Sequence, residues 1–295
     1  MVNYSHMVTI ENDVLKVSIR LKGAEIVSFF DKVNNTERLW QGNPDIWEWH
    51  APNLFPVVGG CIENQLNVNG RAYQMPRHGF ARHLEFALLE ADETTARLSL
   101  RYSQNTLEIY PYKFGFQLFY ELMDNKLKVS FNVANHDDQP IYFALGAHPA
   151  FNVPFFKGES ITDYYLEFEH VEPLITHSLS ADGFFSGDTR TLSQTENKLP
   201  ITAKMFEKDA LVFKNLLSNK VSIKSNNHAN SVFVDFPAFN YFGVWAKMNA
   251  PFICLEPWIG CADTEGEIVD ISRKEGIQKL NVGCVFDSSI TIGVI

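Results

Sequence analysis

Three short stretches set titratable side chains among turn-formers and aromatics: Pro76-Arg77-His78-Gly79-Phe80-Ala81-Arg82, Gly146-Ala147-His148-Pro149-Ala150-Phe151-Asn152, and Leu255-Glu256-Pro257-Trp258-Ile259-Gly260. A histidine and a carboxylate brought together would supply one acid and one base, the pair needed to move protons on and off oxygen near neutral pH. His148 follows the alternating run Ile141 to Leu145, which ends at Gly146, so it sits where a strand leaves its sheet. Pro149 pushes its backbone towards extended geometry. Glu256 interrupts the apolar run Pro251-Phe252-Ile253-Cys254-Leu255, with Pro257 fixing the next peptide, and is expected to be half-buried. Burial there raises its pKa and a nearby cation or donor lowers it, and the residue pattern leaves that balance open. Taken singly, each residue also has a structural reading: His148 as a hydrogen-bonded strand end, Glu256 as a turn cap, and His78 between Arg77 and Arg82 as a solvated basic edge.

The elements that must hold these residues are strands. Period-2 alternation recurs at Leu15-Val17-Ile19, Leu98-Leu100-Tyr102, Phe114 to Leu122 and Leu127 to Val133. Further strands are expected over Gly23 to Phe30, Ile141 to Ala147, Tyr164 to Phe168, Leu211 to Lys214, Val221 to Lys224, Ser231 to Phe236, Tyr241 to Met248 and Phe252 to Glu256. Asp124-Asn125 and Asn135-His136-Asp137-Asp138 read as the turns of successive antiparallel hairpins. Long apolar stripes at helical spacing are nearly absent, the best being Ile201 to Phe206 after Pro200. Parallel strands need long, usually helical crossovers, so the chain reads as all-β, antiparallel sheets packed face to face with few short helices. Residues 173–200, rich in Ser, Thr, Asp and Gly, read as a long surface excursion, either a lid or a loop without a role.

Composition narrows the partners. The 295 residues are 45% hydrophobic and 20% charged, enough to bury a sizeable core as one domain over 1–295. A net charge of -10 without any Lys/Arg run argues against nucleic acid or an anionic membrane and favours a neutral solute. No apolar stretch approaches the length of a membrane span and no signal peptide is visible at the start, so cytoplasmic residence is expected. Residues 1–6, with Ser5-His6 before Met7, read as a tag remnant. Cys61, Cys254, Cys261 and Cys284 lack metal-type pairing and read as buried thiols, so no metal is expected.

At the three opening stretches, and at Asn53-Leu54-Phe55-Pro56-Val57-Val58-Gly59, the sequence resembles the aldose 1-epimerase, or galactose mutarotase, family, and within it the LacX-like bacterial branch. Their order and spacing agree along most of the chain. The resemblance implies a large antiparallel β-supersandwich. It also implies that His148 is a general acid, Glu256 a general base and His78 a second histidine near the sugar ring oxygen, with no cofactor. Asp209 matches the family's substrate-binding aspartate or is an ordinary turn residue. The position of a sugar-contacting arginine in the family is Gly60 here, so Arg77 or Arg82 takes over or the substrate differs. Trp258, Trp245 and Phe151 are candidate walls for a flat sugar face, each with core packing as the alternative.

The implied activity is interconversion of the α and β anomers of an aldohexose. Glu256 takes the anomeric hydroxyl proton, His148, kept charged by a negative field, protonates the ring oxygen, and the ring opens, rotates about C1–C2 and closes on the other face. Two other readings use the same pocket: a non-catalytic sugar-binding or sensory protein, and a hexose-6-phosphate 1-epimerase in which Arg77 and Arg82 hold the phosphate. A glycoside-processing enzyme would need a second carboxylate beside Glu256, with Asp209 the nearest candidate.

Overall fold

The alternation from Phe114 to Val133 folds as two ten-residue strands, Phe114–Met123 and Lys126–Asn135, paired from Phe114↔Asn135 to Met123↔Lys126. The turn is Asp124-Asn125, with Asp124 at a left-handed φ of 51°. In the computed structural model, which describes residues 6–202, 204–266 and 268–295, this hairpin lies inside a nine-stranded antiparallel sheet. An eight-stranded sheet packs against it. Phe55 stacks on Phe116 with ring centroids 4.5 Å apart, and Phe168 meets Phe213 at 5.6 Å. Alternating side chains from both inner faces thus form the main core, as in other sandwiches. The one α-helix among the described residues is Gln104–Leu107, capped by Ser103, and no helix there is long and apolar enough to cross a membrane.

The eight-stranded sheet positions the chemistry. Its strands include Leu211–Lys214, Tyr241–Trp245, Phe252–Ile259, Leu145–Ala147 and Asn53–Leu54, with Ala150–Asn152 also paired to Phe252–Ile259. Alternation divides each strand between two environments. Phe213, Phe242, Val244 and Leu255 enter the main core, whereas Val212, Tyr241 and Trp258 join a smaller cluster on the other face. The cavity described below opens on that second face.

Several expectations differ from the structure. The Asn135–Asp138 turn does not close a hairpin. Lys126–Asn135 already has partners on both edges, Phe114–Met123 and Val285–Val294, so Ile141–Phe143 pairs instead with Gln278–Leu280. The expected helix from Ile201 does not form among the described residues. Pro200 is taken into a strand opposite Tyr165, and residues 204–208 make turns closed by i to i−3 bonds such as Glu207 N–H to Lys204 C=O. The region 173–200 is more ordered than a loop, forming the hairpin Ile175–Leu179 and Phe185–Thr191 beside Leu211–Lys214. Cys61, Cys254 and Cys261 are buried, but Cys284 is exposed in the turn before the last strand. Apart from His6, the expected tag remnant lies outside the described residues.

Candidate active site

Gly146 pairs with Trp258 and Ala150 with Cys254. Carrying that antiparallel register through the intervening residues sets His148 opposite Glu256, and directly opposed residues point to the same face. Their side chains meet: His148 Nε2 lies 3.1 Å from Glu256 Oε2, with the imidazole 9% and the carboxyl 2% exposed. Glu256 is therefore fully buried rather than half-buried, because it lies inside the strand Phe252–Ile259 instead of ending it.

Burial decides the electrostatics. It pushes the Glu256 carboxyl well above the usual carboxylate range, and the nearby Asp209 charge raises it further. The Trp258 ring N–H favours the carboxylate in part, although it lies outside hydrogen-bond geometry. Burial also lowers the His148 imidazole to about 3, and Arg82 adds to that lowering. A negative field that keeps His148 charged is thus not what surrounds it. At 3.1 Å the two groups titrate as one unit, and both shifts favour a neutral imidazole beside a protonated carboxyl.

His78 faces the pair edge-on, its ring centroid 5.7 Å from that of His148. Its backbone is left-handed, with φ 65°, a conformation uncommon outside glycine and seen where surrounding structure enforces it. Two bonds to one residue do so here: His78 N–H donates to Gly59 C=O at 2.8 Å, and Gly59 N–H donates to His78 Nδ1 at 3.1 Å. An accepting Nδ1 assigns the ring proton to Nε2. Burial, with the Arg82 and Arg77 charges adding to it, holds this imidazole neutral, well below its ordinary pKa.

Both arginines reach the same cavity. A Cβ built on Gly60 would lie 3.6 Å from an Arg77 terminal nitrogen, so Arg77 fills space beside the position that lacks an arginine. Its guanidinium donates to the Asp182 carbonyl, and the backbone of Gly183 packs directly on it. That contact holds the tip of the 175–191 hairpin over the cavity. Arg82 lies across the Trp49 ring at 5.0 Å and donates to the Arg77 carbonyl at 2.9 Å. Asp209, with φ 101°, also lines the cavity beside Glu256.

Tryptophans form the walls. Trp47 stacks on His148 at 5.1 Å, and Trp245 meets the same ring edge-on at 5.9 Å. Trp258 fits between two glycines: an added Cβ would come within 2.7 Å of its ring at Gly146 and again at Gly243. Gly243→Ala should therefore displace Trp258 and destabilise the protein by about 1–3 kcal/mol, as overpacking does. A urea midpoint equal to that of the parent would contradict this. Phe151, the third aromatic candidate, is absent from the cavity: it is fully buried, pairs with Ile253 and belongs to the main core.

The resulting cavity, about 340 Å³, is lined by every other candidate from the sequence: His78, Arg77, Arg82, His148, Asp209, Trp245, Glu256 and Trp258. The volume lies in the range of small-molecule sites, and apolar walls with a few convergent polar groups are their usual make-up. Trp47, Trp49, Leu179, Gly183 and Phe185 also line it and were not foreseen. The aromatic density of Trp47-Glu48-Trp49-His50 within a polar segment was the signal for the first two. The hairpin residues carry no such signal.

The sequence profile described as Aldose 1-epimerase matches residues 6–267. The chain is 32% identical over 276 residues to the plasmid-encoded protein LacX of Lactococcus lactis subsp. lactis, covering 89% of this chain and 91% of that protein. Among solved structures it resembles a galactose mutarotase-like protein from Lactobacillus casei (32% identity, TM-score 0.93, 98% of this chain and 100% of that one). It also resembles a galactose mutarotase related enzyme from Lactobacillus acidophilus (31% identity, TM-score 0.92, 98% and 97%).

Proposed function

Because the chain belongs to the aldose 1-epimerase family, we propose that it interconverts the α and β anomers of an aldohexose or closely related sugar, with His148 and Glu256 as its acid–base pair. The observation that carries this reading is the buried 3.1 Å contact between the two groups on the floor of a tryptophan-walled cavity. Opening the ring takes a proton from the anomeric hydroxyl and delivers one to the ring oxygen, so a pair holding one proton is the correct stoichiometry. Proton transfer across the contact turns the neutral pair into carboxylate and imidazolium, and sugar oxygens placed beside them favour that ionic form by hydrogen bonding. Glu256 then accepts the hydroxyl proton while His148 protonates the ring oxygen. Rotation about the C1–C2 bond and the reverse transfers give the other anomer.

His78, neutral with its proton on Nε2, donates a hydrogen bond to the sugar near the ring oxygen. It takes no part in the proton balance. Asp209 and Arg82 bind hydroxyls, and Trp258 and Trp245 take the apolar faces. Polarimetry on glucose and galactose tests the function: acceleration over buffer is expected, and sugar binding without acceleration would leave a sensory protein instead.

The two guanidiniums at the cavity favour a second reading, hexose 6-phosphates as substrates, since arginine suits phosphate. The 6-phosphates in the same panel decide between them. Arg77→Ala removes the tether of the hairpin tip, and we expect a KM about tenfold higher with kcat little changed, the worth of one charge-assisted hydrogen bond. An unchanged KM would remove Arg77 from the site.

The pH dependence follows from the directions above. Further protonation of the pair requires His148, whose pKa lies at about 3, and loss of its proton requires Glu256, whose pKa is raised. The profile of kcat/KM, which reports the free enzyme, should therefore show no histidine titration near neutral pH. An inflection near 6.5, the ordinary histidine value, would contradict the assigned states.

A further inference from the structure

Cys254 precedes Glu256 by two residues on the strand Phe252–Ile259, and alternation puts both on one face. Its cross-strand partners are Ala150 on one side and Trp245 on the other, and His148, two residues before Ala150, is its diagonal neighbour across the methyl side. One ligand atom each from His148, Cys254 and Glu256 fall within 4.8 Å of one another, and all three residues are buried. The isomerisation proposed above uses the first and third of these and has no task for the thiol.

We propose that His148, Cys254 and Glu256 form a three-ligand site for a thiophilic divalent cation of the zinc type, which occupies the acid–base pair and blocks the isomerisation. Imidazole nitrogen, thiolate sulfur and carboxylate oxygen are the donor types that zinc combines, and three protein ligands leave its fourth tetrahedral position free. His148 and Glu256 both line the cavity, so water or a sugar hydroxyl from it completes the shell. A divalent cation bound by one thiolate and one carboxylate has no net charge, so the complex suits a buried site in which a lone ion would be costly. The cation and a productive sugar exclude one another, since metal coordination removes the lone pairs that carry the proton. Only the inhibitory effect rests on the mutarotase reading; the coordination itself does not.

Cobalt(II) is the probe, because its bond to a thiolate gives a charge-transfer band that bond formation to nitrogen and oxygen alone does not. The full chain, stripped of metal by a chelator, is titrated with cobalt(II), with equilibrium dialysis for stoichiometry and polarimetry in parallel. One cobalt per chain, the thiolate band, its displacement by zinc and loss of mutarotation reversed by chelator are expected. Cys254→Ser and Cys254→Ala should each abolish the band and the inhibition while leaving basal turnover within about twofold, and Cys61→Ser should keep all of them. Absence of the band in the wild-type protein, or its persistence in either folded Cys254 variant, overturns the site. A normal band in a protein without mutarotase activity supports the metal site and removes the proposed function, so the two failures are separable.

Discussion

Replacing Glu256 by Gln is expected to lower the mutarotation kcat by about 10²–10⁴, the usual contribution of one positioned base, while leaving the fold intact. Gln has the shape of the protonated carboxyl that burial already favours at this position, so the 2% exposed site loses no volume and gains no buried charge. Stability should stay within about 1 kcal/mol of the parent, since a near-isosteric swap creates neither cavity nor unpaired ion. KM should change little, because the amide still hydrogen-bonds the anomeric hydroxyl. A variant with wild-type polarimetric rates would remove Glu256 from the chemistry. One that is both inactive and unfolded would place Glu256 in the structure of the sheet instead.

His148→Asn is the complementary case, with a similar expected loss of about 10²–10⁴ in kcat. The two losses should not add: once either partner is gone the other has no proton to exchange, so the double variant should resemble the poorer single one. Stability supplies a second readout. His148 has its folded pKa depressed from 6.5 to about 3, so its contribution is present above pH 6.5 and is lost as pH falls towards 3. His148→Asn should accordingly flatten the acid-side fall of Tm. An equal acid-side slope in both proteins would contradict the buried, neutral state.

Legibility in the sequence followed the physical range of the interactions. The hairpin at Asp124-Asn125 was readable because alternation and turn chemistry are local, and its ten-residue register emerged as the pattern implied. Asn135–Asp138 carries equally good turn chemistry, yet the strand before it was already satisfied on both edges, a condition set by Val285–Val294 some 150 residues away. The pairing of His148 with Glu256 is likewise non-local. Pro149 and Pro257 marked both residues, but only the register from Gly146↔Trp258 to Ala150↔Cys254 makes them opposite one another.

Chemical state was less legible than position. The same residue types allow a charged histidine beside a carboxylate or a neutral pair, and the choice depends on how deeply the sheet buries them. Gly60 shows the converse. It looked like a missing arginine, and the structure puts the Arg77 guanidinium beside it, from a segment 17 residues further along the chain. Trp47 and Trp49 reach the cavity from a loop that belongs to none of the opening stretches, so no spacing rule connects them to His148.

The central claim is that the His148–Glu256 pair opens and closes a sugar ring. NMR exchange spectroscopy on an equilibrium mixture of galactose anomers measures that step directly, as cross-peaks between the α and β C1 protons. With the wild-type protein these should grow faster than in buffer, and with Glu256→Gln or His148→Asn they should return to the buffer rate while sugar resonances still broaden on binding. Exchange that stays at the buffer rate for the wild-type protein with glucose, galactose and their 6-phosphates, or that is equally fast in both variants, would contradict the account.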